Sequence, residues 1–268
     1  MKKFIILFNI FSFIFSCPDI KFIEGGLSGS GAFKTFWDCC KPDCSSSQIA
    51  GLGNEARQCN KAVSEIRDSK SMCEGGPSTT CITQIPFTID ECNNIGFAFT
   101  SIQAYRDKNL CGKCFLLQYK GDKSLFRGTN QGKSKLSNKK IIVMAINIDS
   151  VDTENYKFQL MIPGGGQRLD SIEEFNHYNY RPNYCYDTFG NKYNTERGVI
   201  EICEKEVSGD DDNSRYINMK KCIANKCNVL DGKARNGCMF QANFLEGINF
   251  GEIDYKEIEC PNMLKDLY

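Results

Sequence analysis

The sequence predicts a mainly β protein, a β-rich barrel with short helices and long loops that disulfides hold in place. Short apolar runs rich in β-branched and aromatic residues recur along the chain and end at turn residues, which is typical of a barrel made from many short strands. The chain also contains 16 cysteines in 268 residues, which indicates a cross-linked protein of an oxidising compartment.

Four apolar runs are the predicted strands. They are residues 115–119, 140–146, 158–162 and 199–202. The third run ends at Pro163 and three glycines, which cannot continue a strand easily. Helical spacing predicts short helices at residues 64–69, 171–175 and 217–224.

The N-terminus predicts a secretory signal peptide. Met1-Lys2-Lys3 is positively charged, and the mostly apolar run 4–15 is too short to cross a bilayer comfortably. We therefore assign residues 1–17 to the signal. Residues 18–268 are expected to form a single secreted, extracellular domain with no membrane segment after cleavage.

Composition excludes several function classes. The 33 Lys and Arg residues balance the 33 Asp and Glu residues, so there is no electrostatic case for binding nucleic acid. Cys111 and Cys114 form a C-x-x-C pair without a second pair at zinc-finger spacing, so we expect no metal site and no cofactor. His177 is the only histidine, which leaves little basis for Ser-His-Asp or Cys-His catalysis.

The most informative motif is residues 35–44, T-F-W-D-C-C-K-P-D-C. Its carboxylate, Asp38, stands between the aromatic pair Phe36-Trp37 and two vicinal cysteines. Adjacent cysteines do not easily bridge each other, so each should reach a distant partner and fix the backbone around Asp38. A rigid carboxylate beside an indole suits a site that cleaves carbohydrate, whereas a surface Asp near a disulfide knot is the alternative.

Three segments carry a resemblance to a known family. They are F-W-D-C-C-K-P-D-C (36–44), G-F-A-F-T-S (96–101) and F-Q-L-M-I-P-G-G-G (158–166). Together they resemble glycoside hydrolase family 45, the small inverting endo-β-1,4-glucanases, from about Phe33 to Cys260. The resemblance implies a six-stranded double-psi β-barrel with an open groove, and a β-1,4-glucan polysaccharide as the partner.

The resemblance also implies a set of disulfides. The pairs are Cys39–Cys185, Cys40–Cys73, Cys44–Cys111, Cys59–Cys81, Cys114–Cys260 and Cys227–Cys238. Relative to the family, the acidic segment 204–221 looks like a surface insertion, and Cys203 and Cys222 flank it and are expected to close it. Cys92 is then left with Cys17, if Cys17 survives signal cleavage.

Catalytic roles follow from the same resemblance. Inverting hydrolysis needs a base and an acid, and Asp38 matches the base. Gln159 stands at the acid position, where an amide cannot transfer a proton. Asp152, seven residues earlier, matches a loop Asp of the family and is the expected substitute acid, with Asp149 and Glu154 near it in sequence. The expected substrate-binding residues are Trp37, Phe36, Lys41 and Lys157.

Two function classes remain open. The first is a secreted endoglucanase, expected to act as a monomer, with an unusual proton donor. The second is a non-hydrolytic protein that binds or loosens polysaccharide, as expansin-like proteins do. The second class fits the lost acid, but expansins resemble the opposite case, because they keep the acid-position Asp and dispense with the base.

Overall fold

A computed structural model describes most of the chain. The described residues are 17–37, 40–60, 64–103, 110–121, 129–149, 157–165, 198–230 and 232–268. His177 and the predicted helix at 171–175 lie outside them.

Nine strands form the sheets of the described chain. They are β1 (Ser28–Phe36), β2 (Gln58–Cys59), β3 (Glu65–Ile66), β4 (Phe87–Thr88), β5 (Ile95–Gln103), β6 (Cys114–Gly121), β7 (Lys140–Asp149), β8 (Lys157–Met161) and β9 (Phe250–Ile258). The main sheet has the order β4-β5-β7-β6-β9-β1-β8, and β8 also pairs with β5. Six strands therefore close into a ring, while β4 adds to its outside as a short edge.

The ring closes because its strands carry large apolar residues toward one shared core. Phe33, Phe97, Phe115, Phe158 and Leu160 are at most 1% exposed and belong to one cluster. Phe115 and Phe158 meet edge to face with ring centroids 5.4 Å apart. Burial of this apolar surface is the main favourable free-energy contribution to the barrel.

Three of the four predicted strands are present, within β6, β7 and β8. The fourth prediction, residues 199–202, is wrong, because these residues lie in a helix, Gly198–Glu206. Val199 and Cys203 are both buried. They are four residues apart, the spacing that places two side chains on the same face of a helix. A four-residue apolar run is too short for periodicity to separate the two structures.

Helices make up more of the fold than the sequence predicted. The described helices are α1 (Ser47–Ala50), α2 (Asn130–Leu136), α3 (Gly198–Glu206), α4 (Asp212–Cys227), α5 (Gly232–Asn243) and α6 (Asn262–Lys265). Helices α3, α4 and α5 share a second buried cluster, which includes Val199, Ile223 and Cys238. The mainly β prediction is therefore corrected to a mixed α/β fold with a ring-like six-stranded sheet.

Two local predictions have opposite outcomes. Residues 217–224 are helical within α4, as expected. The predicted helix at 64–69 is wrong, because residues 65–66 form β3, which pairs with β2 next to the Cys59–Cys81 bond. The helical pattern of this short segment is weak, so the strand pairing with β2, which the Cys59–Cys81 bond holds in place, determines its structure.

The acidic segment 204–221 spans the end of α3, a turn and most of α4. It is more than a solvated loop, because Tyr216 and Met219 are only 5% and 3% exposed. Tyr216 donates a hydrogen bond to Glu246, which precedes β9. Asp212 accepts hydrogen bonds from the backbone N–H groups of Asn130 and Gln131, the first residues of α2.

Seven disulfides cross-link the described residues. They are Cys17–Cys92, Cys40–Cys73, Cys44–Cys111, Cys59–Cys81, Cys114–Cys260, Cys203–Cys222 and Cys227–Cys238. Each of these pairs is one that the sequence analysis proposed. The remaining proposed pair, Cys39–Cys185, lies outside the described residues. Within the described part of the chain, no helix has the length and apolar character needed to cross a membrane.

Candidate active site

The two long motifs meet because β1 and β8 are neighbouring parallel strands. Lys34 of β1 pairs with Gln159 of β8, and Phe36 pairs with Met161. Just beyond β8, the Ile162 N–H donates a 2.7 Å hydrogen bond to the Phe36 carbonyl. The segment that leads into Asp38 is therefore joined by the backbone to the segment that carries Gln159.

Glycine makes this junction possible. A Cβ on Gly165 would lie 2.6 Å from the Phe36 nitrogen, a distance that real Cβ atoms essentially never show. Gly164 turns the chain with a φ of +80°, in the left-handed region that favours glycine. These requirements explain Gly164 and Gly165.

Gln159 is the middle residue of β8 and is buried, with 1% of its surface exposed. Its carbonyl accepts a 3.0 Å hydrogen bond from the Thr100 hydroxyl on β5. Its side-chain amide, through Nε2, donates to Oδ2 of Asp149 at 3.4 Å. The side chain predicted to stand at the acid position thus contacts a carboxylate.

Asp149 is the last residue of β7 and is only partly exposed. A second amide, Gln103 of β5, donates through Nε2 to the same oxygen, Oδ2, at 2.9 Å. The sequence analysis placed Asp149 in an acidic loop with Asp152, whereas the structure places it in a strand. This is the functional candidate that sequence reasoning undervalued.

A β-bulge turns Asp149 toward this site. Thr100 pairs with Ala145, but the next residue of β5, Ser101, pairs with Asn147, so Ile146 is the extra residue. Without the bulge, isoleucines would face Ser101 and Gln103, because a one-residue shift moves every later side chain to the other face. The alternation Ile146-Asn147-Ile148-Asp149 was the available signal for a strand with a polar face.

The chain that follows Asp38 is anchored from several sides. Cys40 is bonded to Cys73, and its carbonyl accepts a 2.8 Å hydrogen bond from the Thr80 hydroxyl. The Asp43 N–H donates to the side-chain oxygen of Asn147 at 2.8 Å, which ties this segment to β7. On the C-terminal side of the motif, a disulfide and these hydrogen bonds therefore hold the backbone, as the sequence analysis expected.

The aromatic pair before Asp38 is buried. Phe36 and Trp37 are 7% and 6% exposed, and Trp37 belongs to the cluster under α3 to α5. A ring needs an open face to stack on a sugar, so their burial argues against the predicted stacking role. Phe36 instead packs in the barrel core, and Trp37 packs in the second cluster, below the helices.

The two predicted lysines differ in their surroundings. The Lys41 ammonium donates to the Ser69 carbonyl at 2.9 Å, a contact that holds the loop after the motif. Lys157 is exposed at the start of β8, two residues before Gln159. Of the proposed substrate-binding residues, Lys157 is exposed, Lys41 is half-buried, and Phe36 and Trp37 are buried.

The remaining predicted catalytic residues, Asp38 and Asp152, lie outside the described residues. In the described ranges, no group of three or more His, Cys, Asp or Glu side chains is placed to share a metal ion. The described part of the site therefore contains the carboxyl group of Asp149, which accepts hydrogen bonds from two side-chain amides, those of Gln103 and Gln159. It lies beside the β1–β8 junction. A carboxyl group so placed can act as a proton donor or acceptor.

Comparisons with known proteins identify the family of this chain. The sequence profile described as glycosyl hydrolase family 45 matches residues 30–177, more than half of the chain. Endoglucanase B of Cellvibrio japonicus (strain Ueda107) is 28% identical over 247 residues, which are 89% of this chain and 44% of that protein. The chain therefore spans less than half of that relative.

Two further matches cover nearly full length. An endoglucanase of Cryptopygus antarcticus is 26% identical over 268 residues, which are 98% of this chain and 95% of that one. The crystal structure of a cellulase from the same Antarctic springtail superposes with a TM-score of 0.64 at 24% identity, covering 90% of this chain and 96% of that chain. The structural match supports the fold, and the profile match shows that this chain belongs to glycosyl hydrolase family 45.

Proposed function

We propose that the protein is a secreted endoglucanase-type protein that acts on β-1,4-glucan by inverting hydrolysis. The observation that carries the proposal is the meeting of the two family motifs at the ends of parallel strands β1 and β8. The relatives named endoglucanase support the same substrate class. The two parallel pairs, β1 with β8 and β5 with β7, also fit the double-psi connectivity of the family barrel.

In this mechanism Asp38 is the base. Its carboxylate takes a proton from water as the water attacks the anomeric carbon, and a second carboxyl group protonates the departing glycosidic oxygen. Gln159 occupies the family's acid position but has no transferable proton, so the donor must be another group. Asp152 is the donor that the family resemblance favours.

The seven disulfides support a protein that works outside the cell. One disulfide also indicates where the signal peptide is cleaved. Because Cys17 is bonded to Cys92, we propose that cleavage occurs before Cys17, one residue earlier than the boundary that the sequence suggested.

A reducing-sugar assay on soluble β-1,4-glucan tests the function. Wild type should release reducing ends, with the new hemiacetal formed first as the α anomer by NMR. Asp38→Ala should lower the rate by about 10²–10⁴-fold, because it removes the base.

The second candidate is a non-hydrolytic polysaccharide-binding protein, which the buried amide of Gln159 favours. Wild type that binds the glucan and releases no reducing ends would support this candidate against hydrolysis. An Asp38→Ala variant as active as wild type would reject Asp38 as the base.

A further inference from the structure

We propose that a cleft on the outside of the barrel, between β4 and α5, is a second binding site for β-1,4-glucan. The choice of ligand rests on the proposed function, whereas the cleft itself is a feature of the described structure. Its volume is about 460 Å³, within the range of roughly 300–1,000 Å³ that is typical of ligand sites. Its role is to hold the polysaccharide, with no part in the chemical step.

A glycine brings the two walls of the cleft together. Helix α5 packs on β5 at Gly96, where an added Cβ would lie 2.7 Å from ring atoms of both Phe240 and Phe244. These two rings stack with centroids 4.7 Å apart, and each residue is 4% exposed, so they form an apolar floor. Strand β4 forms the opposite wall, because Thr88 of β4 pairs with Gly96 at the same point.

One aromatic ring in the cleft is available to a ligand. Phe87 of β4 lines the cleft and stacks on Phe97, with ring centroids 5.2 Å apart and planes 14° apart. This contact covers one face of the Phe87 ring, yet the residue as a whole is only half-buried. The other face can therefore stack on the apolar face of a glucosyl ring, a contact that the buried Phe36 and Trp37 rings cannot make.

The rim of the cleft carries hydrogen-bonding side chains that suit sugar hydroxyl groups. Five exposed residues supply them: Thr88, Asp90, Asn93, Asn236 and Asn243. Asn236 and Asn243 lie seven residues apart on α5, so they share the helix face that also carries Phe240. Across the described residues, none of these five side chains hydrogen-bonds another residue, so their donors and acceptors are available to a ligand.

Charge and size favour a neutral, narrow ligand. Lys139 also lines the cleft, but its ammonium pairs with Glu246 and donates to the Phe244 carbonyl at 2.9 Å. Among the described lining residues, Asp90 is then the remaining charge, so an acidic ligand would be repelled. The cleft offers far less surface than the roughly 1,000 Å² that a specific protein interface buries. A neutral polyhydroxylated chain matches both the open aromatic face and the amide rim.

The cleft is separate from the candidate active site but shares a strand with it. Gly96 lies near the start of β5, whereas Ser101, which pairs with Gln159, lies five residues later. At about 3.3 Å per residue, the two points are roughly 16 Å apart along the strand. A polymer offers many equivalent segments, so one segment held in the cleft raises the local concentration of substrate at the active site.

The test replaces two rim amides without altering the barrel. Asn236→Ala/Asn243→Ala should weaken adsorption to insoluble cellulose by about five- to thirtyfold, because two hydrogen bonds to the ligand are lost. The rate of this variant on a soluble cello-oligosaccharide should equal that of wild type, because the active site is untouched. Phe87→Ala should also weaken adsorption, through the lost stacking contact.

Hydrogen–deuterium exchange locates the site. Saturating cellohexaose should slow exchange in residues 86–93 and 236–244 of wild type, and it should leave both segments unchanged in the double variant. Asn225→Ala/Asn262→Ala is the matched control, because it removes two exposed asparagines from α4 and α6, outside the cleft. This control should adsorb like wild type, and thermal melts should show that every variant is folded.

The other outcomes separate this inference from the proposed function. Adsorption of the double variant equal to that of wild type rejects the cleft as a glucan site, as does an equal loss in the control or the absence of protection by cellohexaose. Wild type that hydrolyses soluble glucan without these effects keeps the proposed function and loses the inference. Wild type that binds through the cleft but releases no reducing ends keeps the inference and rejects hydrolysis.

Discussion

At the scale of single residues, a side-chain amide and a carboxyl group from two strands that flank β5 are in contact. Gln159 lies on β8, and the strand on the other side of β5 supplies its partner Asp149. A residue therefore has to be judged with its spatial neighbours, because the buried amide of Gln159 donates to a carboxyl group ten residues earlier in the chain.

The amide at position 159 can be replaced by a carboxyl group. Gln159→Asp should raise hydrolysis of soluble β-1,4-glucan, because it restores a titratable donor at the family position. The two carboxyl groups would then lie close together, so one should hold its proton to higher pH, and the alkaline limb of the pH–rate profile should move upward.

Gln159→Asn is the control for this exchange, because it changes the side chain without adding a proton donor, and it should give no gain. An unchanged rate and pH profile in Gln159→Asp would mean that more than the acid has been lost from the site.

Gly165 allows the second residue-scale prediction. Gly165→Ala places a Cβ against the backbone of Phe36, so the β1–β8 junction must move. We expect a loss of about 1–3 kcal/mol in the free energy of unfolding and a large fall in glucan hydrolysis. Chemical denaturation and the reducing-sugar assay measure the two effects.

Gly53→Ala is the comparison for Gly165. Gly53 has a φ of +82° and nothing within 4 Å of an added Cβ, so its cost is conformational, about 1–2 kcal/mol. The activity of the Gly53→Ala variant per folded molecule should equal that of wild type. If Gly165→Ala is fully active, the close approach does not control the site.

At the scale of elements, one buried carboxylate joins the helices to the barrel. Glu246 is 7% exposed and accepts hydrogen bonds from Lys139 beside β7 and from Tyr216 and Lys220 of α4. Burial raises the pKa of Glu246, but the hydrogen bonds from Lys139, Tyr216 and Lys220 outweigh it, so the pKa is lowered overall. Burial, together with Glu246, raises the pKa of Tyr216, which keeps its phenol as a donor.

The direction of this shift predicts a pH dependence. A lowered pKa in the folded state adds stability above the unfolded value of 4.5, and this stability is lost as pH falls through the folded pKa. Glu246→Gln should lower the free energy of unfolding at pH 7 by roughly 1.5–3 kcal/mol. It should also flatten the decline of stability below pH 4.5, as measured by denaturant titration across pH.

Glu206→Gln provides the matched comparison. Glu206 pairs with Lys226 at 2.7 Å, but half of its side chain is exposed, so the pair should contribute little, at most about 1 kcal/mol. An equal effect of the two substitutions would show that burial of Glu246 does not strengthen its contacts.

At the scale of the whole molecule, disulfides and backbone pairing tie down both ends of the described chain. Cys17 is bonded to Cys92, and the Glu259 N–H donates to the Lys21 carbonyl at 2.8 Å. Near the C-terminus, the Arg57 N–H donates to the Tyr268 carbonyl at 2.8 Å. Ends held in this way resist fraying, which suits a protein exposed to extracellular proteases.

The pairing of Cys17 predicts the start of the secreted form. Protein secreted from a eukaryotic host should begin at or before Cys17, because later cleavage would leave Cys92 without its partner. Intact mass and N-terminal sequencing would show the start, and non-reducing peptide mapping should recover a Cys17–Cys92 peptide. A mature chain that begins after Cys17 would contradict the prediction.

The sequence by itself determined the family and seven of the eight expected disulfide pairs, while the base at Asp38 and the acid position at Gln159 stay predictions. These features are local motifs and cysteine spacings, which can be recognised without knowing how strands pair. The tertiary structure decided that Trp37 is buried, that residues 199–202 are helical and that Asp149 contacts Gln159. The last depends on an extra residue in β7 relative to β5, and the register between strands distant in sequence is set by the packing of the whole barrel.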